Sequence, residues 1–133
     1  MYQGRFKSFP VQTEDYFYQV MRYVERNALR ANLVQNAAEW RWSSLGRRSG
    51  NDRSLALLSR AILADWPIPR PNDWLNLVNK PQTAAKLAAL RQCVNRGCPY
   101  GGPDWIAKTT NQLGINSALR GRGRSKKEAS RNT

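Results

Sequence analysis

Apolar residues recur every three or four positions along several stretches of this chain, and each recurrence predicts an amphipathic helix. In the first, Phe17, Val20, Met21 and Val24 form a stripe, with Tyr16 and Tyr23 on its flank. Thr13 is placed to cap this helix, and Glu14 and Asp15 complement its dipole. The helix should end over 27–31, with Asn32 as a left-handed cap. Leu57, Leu58, Ala61 and Ile62 predict a second helix over 55–63. The prolines within 65–71 break the pattern, because each removes a donor and fixes the backbone. Asn72 can cap a short helix through Val78, with Trp74, Leu75 and Val78 facing inward.

The clearest helix is predicted over 83–96. Ala84, Leu87, Ala88, Leu90 and Val94 form its apolar face, and Gly97 stops it. After a turn at 99–102, Pro103 suits a first helical position, and a further helix over 104–113 ends at Gly114. These two helices admit a helix-turn-helix reading or that of an ordinary helical hairpin. Strand character is confined to residues 2–11, where Phe6 alternates with Arg5 and Lys7 and Pro10 closes the run. A lone strand needs partners for its backbone. Over 36–48, Trp40 and Trp42 accompany a short helical run that Ser43 or Ser44 can cap. Two tryptophans so close either anchor a turn against a core or stack on nucleobases. Residues 46–53 read as a polar, basic loop.

Charge narrows the partner. With 22 basic and 9 acidic residues among 133, the formal charge is +13, which points to a polyanion, nucleic acid above all. Residues 117–133 concentrate the excess in Arg120, Arg122, Arg124, Lys126, Lys127 and Arg131 against Glu128. With so few apolar residues, this tail is expected to be disordered and to track phosphates or enter a minor groove. No run of about 18 apolar residues is present to span a membrane. Cys93 and Cys98 read as two reduced thiols, since a lone pair without histidine is a weak zinc signal. The sequence has no histidine. It also carries no glycine-rich phosphate loop, paired-carboxylate site or Ser/His/Asp arrangement.

Tyr23 and Asn27 lie four residues apart, so a helix puts them on one face. A phenol and a carboxamide there are either a packing pair or a nucleophile beside a metal or phosphate ligand. Three ordered segments surround them: Gly4-Arg5-Phe6-Lys7-Ser8-Phe9, then Arg22-Tyr23-Val24-Glu25-Arg26-Asn27-Ala28-Leu29-Arg30-Ala31, then Trp40-Arg41-Trp42-Ser43-Ser44. Together they resemble the C-terminal part of a REP-associated tyrosine transposase. This family is related to the insertion-sequence transposases that cut single-stranded DNA with one tyrosine and a His-hydrophobic-His metal pair. The likeness continues through Trp66-Pro67 and Asp73-Trp74-Leu75 to the basic tail.

The resemblance implies that Tyr23 is the nucleophile and Asn27 a ligand of a divalent cation, Mg or Mn. Tyrosine attack on a phosphodiester would give a covalent phosphotyrosine and a free hydroxyl, conserving bond energy for rejoining. Arg5, Lys7 and Arg30, with the tail residues Arg120, Arg122, Arg124, Lys126 and Lys127, become the expected nucleic-acid contacts. The chain departs from the family in carrying Ala28 for the usual proline, Asn32 for the usual glycine, and no histidine pair. The metal site is therefore expected to be incomplete, with no cation held by this chain alone and catalysis lost through truncation.

The fold expected is mainly α with one N-terminal strand, the C-terminal fragment of an α+β, ferredoxin-like transposase domain. Its divisions are the end of the catalytic domain at 1–48, a helical region at 49–116 and the tail at 117–133. The function implied is that of a transposase-like protein binding single-stranded DNA hairpins, cytoplasmic and nucleoid-associated in a bacterium. The alternatives are a non-catalytic basic nucleic-acid-binding protein and a helical partner-binding domain that uses its tryptophans.

Overall fold

The computed structural model describes residues 7–49 and 65–120. Among them the chain is mainly helical. Helix α1 (Asp15–Glu25) runs through a break at Arg26 into α2 (Asn27–Arg30). A 3-10 turn (Ala37–Glu39) and α3 (Ser44–Ser49) follow. Beyond the undescribed interval come α4 (Trp74–Asn79), α5 (Ala84–Arg96), α6 (Pro103–Leu113) and α7 (Asn116–Leu119). None is long and apolar enough to cross a membrane. The expected helix over 55–63 lies outside the described residues.

Helix α1 organises the rest because it feeds two apolar clusters. Tyr18 and Met21, joined by Leu29, Trp66 and Leu77, pack on buried Ala37, Leu45, Trp74 and Val78. Tyr16, Val20 and Tyr23 pack on buried Leu90, Cys93, Cys98 and Tyr100, together with Phe9, Val11 and Ala118. Aromatic edges add direction to the first cluster. The Trp66 and Trp74 rings meet edge to face at 4.9 Å, and Phe17 meets Trp66 at 5.4 Å.

Two guanidiniums then tie α1 to the C-terminal end of α4. Arg22 donates to the Lys80 carbonyl at 3.0 Å. Arg26 donates to the carbonyls of Val78, at 3.0 Å, and of Asn79. Cations there satisfy free carbonyls and oppose the helix dipole.

Several helix ends fall where the pattern put them. Thr83 caps α5 by accepting from the Lys86 amide, and Gly97 closes that helix in the left-handed region at φ 69°. Pro103 opens α6. Asn32 takes φ 57°, with Leu33 N–H donating to the Ala28 carbonyl and Asn32 N–H to that of Leu29. That pair of bonds is a Schellman motif.

Other expectations are corrected. The N-terminal strand reduces, among the described residues, to a single parallel bridge between Val11 and Tyr100. Gln12 N–H donates to the Tyr100 carbonyl and Tyr100 N–H to that of Pro10, both at 2.9 Å. Residues 1–6 lie outside the described part, and no α+β sheet is seen among the described residues. This bridge also holds the connector between α5 and α6, so that connector is anchored to the N-terminal segment. With residues 10–12 fixed, the chain turns sharply into α1. The cap position is Glu14, at φ 69° and without a side-chain bond, and Thr13 is not the cap.

Residues 46–49 belong to α3 instead of a loop. Gly46 is there for close packing, since a Cβ would collide with the Trp40 carbonyl. Asp73 takes the cap position of α4 in place of Asn72. Leu75, Val24, Ala84 and Ala88 are exposed, while Cys93 takes a core position. The expected tail starts later, because 117–119 belong to α7 and Ala118 packs on the second cluster.

Candidate functional site

The site is built where α1 passes into α2. Tyr23 sits in the last turn of α1, half-buried against the second cluster. The backbone of Arg26, at ψ −1°, interrupts the helix between Tyr23 and Asn27, and Asn27 opens α2. Arg30, one turn further on, joins them. Its guanidinium lies over the Tyr23 ring, 4.3 Å from the centroid. It donates to the Asn27 amide oxygen at 2.8 Å and to the Tyr23 carbonyl at 3.3 Å. The three residues singled out around this motif therefore form one cluster, with a cation fixed beside the phenol.

On the other side of the helix from Tyr23, toward the first cluster, lies Glu25, which the residue pattern did not single out. Its side chain is buried, at 3% exposure. The carboxylate accepts from the Trp74 indole N–H at 2.6 Å and from the Ser44 hydroxyl at 2.5 Å. A buried charge is tolerated only with such partners. One side chain thus connects the tyrosine helix, the Trp-x-Trp-Ser-Ser segment and the Asp-Trp-Leu segment. The signal was present in the sequence: Glu25 stands four residues after Met21 and four before Leu29, a carboxylate on the apolar stripe.

Beside Ser44, Ser43 caps α3. It accepts from the Gly46 amide at 2.8 Å and donates to the Trp40 carbonyl at 2.9 Å. Trp40 is half-buried, whereas Trp42 stands out in solvent beneath the Arg41 guanidinium, 4.5 Å from its ring centroid. The tryptophan pair is therefore divided between anchoring and exposure.

Arg26 is structural. Burial, with Arg22 and Arg30 nearby, holds its guanidinium below the usual arginine range. Of the expected nucleic-acid contacts, Lys7 and Arg120 are exposed and Arg30 belongs to the Tyr23 cluster. Arg5, Arg122, Arg124, Lys126 and Lys127 lie outside the described residues.

The donors around Asn27 do not suit a divalent cation. The amide oxygen already receives a guanidinium. Among the described residues no three His, Cys, Asp or Glu side chains converge, and one amide does not build a metal site. What the cluster offers instead is a phenol, an amide and a cation at one helix junction, suited to holding a phosphate oxyanion. Neither a family model, nor a curated protein, nor a solved structure matches the chain.

Proposed function

We propose that this chain is a DNA-binding protein of the REP-associated tyrosine transposase type, with Tyr23, Asn27 and Arg30 as the seat for a phosphodiester of single-stranded hairpin DNA. The observation that carries this reading is the buried Glu25. It joins three of the segments on which the family likeness rests, the tyrosine helix, the Trp-x-Trp-Ser-Ser segment and the Asp-Trp-Leu segment, into one hydrogen-bonded unit. The net charge of +13 supports the same class of ligand. Tyr23 has the nucleophilic oxygen and Arg30 the charge to hold a phosphate. The family's metal chemistry has no donor set among these residues, so the activity proposed for the chain by itself is binding.

The test is a competition between a hairpin with single-stranded flanks and a blunt duplex of equal length. The hairpin is expected to bind more tightly, and Arg30→Gln to remove part of that preference. Equal affinity for the two would favour the second reading, a general basic nucleic-acid-binding protein, which the charge alone supports.

A further inference from the structure

Among the described residues, three of the most exposed large apolar side chains, Val24, Leu33 and Trp42, are 56%, 62% and 62% exposed and line the same groove. This groove, of about 320 Å³, runs between the end of α1, α2 and the Trp40–Ser44 segment. Asn27 and Ser43 supply polar groups at its edge. Clustered apolar surface in a strongly charged chain marks a binding surface more than scattered exposure does.

The occupant must be flat and apolar on its faces, polar at its edges and attached to negative charge. Trp42 is an indole platform held by packing against Arg41, whose guanidinium covers the ring at 4.5 Å. Arg30 hydrogen-bonds Asn27 on the groove wall, so a second cation stands next to the lining. We propose that this groove takes one unpaired nucleobase of a single strand, stacked on Trp42 with its edge toward Asn27 and Ser43 and its flanking phosphates on Arg41 and Arg30. Aromatic platforms flanked by cations bind bases in this way without demanding a sequence. The assignment rests on the nucleic-acid reading above and deepens it, naming a base seat that adjoins the phosphate seat and shares Asn27 and Arg30 with it.

The experiment uses the full chain and two single-stranded probes about 12 nucleotides long, within the usual site size of such proteins. One is oligothymidylate; the other is an abasic deoxyribose-phosphate strand of the same length. Wild type is expected to bind thymidylate roughly tenfold more tightly than the abasic strand, as one base–aromatic stack contributes. Trp42→Ala should bring the two affinities within about twofold, with the salt dependence unchanged, because no phosphate contact is removed. Trp42→Phe, which keeps a smaller ring, should retain part of the preference, and both variants should keep the wild-type circular dichroism.

A full preference surviving in Trp42→Ala overturns the proposal. So does equal wild-type affinity for the two strands, although the phosphate-binding reading then stands. A dimer that dissociates on Trp42→Ala with no change in base preference would show that a second copy of the chain covers the groove. No binding of either strand overturns the proposal together with the nucleic-acid reading.

Discussion

The Trp74 indole N–H donates to the Glu25 carboxylate across 2.6 Å, linking residues 49 positions apart through a buried bond. Ser44 donates to the other carboxylate oxygen. The indole is an obligate donor, whereas the Ser44 hydroxyl can also accept, so a test must remove both acceptor oxygens. Glu25→Gln can keep both bonds by turning the hydroxyl, but Glu25→Leu leaves the buried indole N–H without an acceptor and should destabilise the protein by about 2 kcal/mol. Urea denaturation measures it. A change below about 0.5 kcal/mol, the range of an ordinary surface substitution, would show that the carboxylate does not hold the segments together.

The close approach of Gly46 to the Trp40 carbonyl gives a second expectation. Gly46→Ala should cost about 1–3 kcal/mol, as overpacked sites do. On an open helix surface the same change would be favourable by roughly 0.5–1 kcal/mol. The sign of the measured difference therefore decides between a packed helix and the loop that the composition suggested.

Asn32, at φ 57°, tests the junction after α2. Asn32→Gly should hold or raise stability by a few tenths of a kcal/mol. Asn32→Ala should lower it by about 1 kcal/mol, because a Cβ is disfavoured in the left-handed region. Equal stability of the glycine and alanine variants would rule out the left-handed cap.

Cys93 and Cys98 are both buried, with their sulfurs 3.1 Å apart. Burial and the neighbouring Cys98 thiol push Cys93 up from 9.0 to about 12. Since the folded protein holds this proton more tightly than the unfolded chain, the contribution is complete below about pH 9 and is lost as pH rises toward about 12. Burial raises Tyr100 as well, in the same direction. Thermal melts should therefore weaken through this alkaline range, and both thiols should resist alkylation at pH 8 in the native state. Rapid native alkylation would contradict the buried pair.

For Tyr23, the donor set around Asn27 gives a clear expectation. Incubated with hairpin DNA and Mg or Mn, the chain by itself should form no phosphotyrosine adduct on a denaturing gel. Tyr23→Phe should change stability by under about 0.5 kcal/mol, since the ring and its packing remain. An adduct from wild type that disappears in Tyr23→Phe would show that the residues present suffice to activate the phenol.

Helix ends were legible in α5, whose cap at Thr83 and stop at Gly97 both stand, although Ala84 and Ala88 of its expected stripe are exposed and Cys93 is buried. Where two clusters share a helix, the stripe misleads. Val24 fits the spacing of α1 yet is exposed, while Glu25 beside it is buried. Periodicity locates a face, but the partners of a buried carboxylate lie at Ser44 and Trp74, beyond any local pattern. The N-terminal strand misled for a related reason. Alternation from Arg5 to Lys7 suggested a strand without its sheet, but in the described residues what anchors the segment is two backbone bonds at Tyr100, remote in sequence. The grouping of Tyr23 and Asn27 was legible from their spacing. The guanidinium between them was not, because its direction depends on the helix break at Arg26.

The central claim, binding of DNA through phosphate contacts, is tested most directly by titrating a labelled single-stranded hairpin over a range of salt concentrations. Residues 121–133 carry five basic residues against one acidic, and removing them leaves α7 and Ala118 in place. Wild type is expected to bind with a steep log–log salt slope, each neutralised phosphate contributing roughly −0.7 to −0.9. The chain ending at Arg120 should show a slope flatter by about 3 units and should still bind through the folded part. Absence of salt-dependent binding by the full chain, even at about 50 mM salt, would contradict the account.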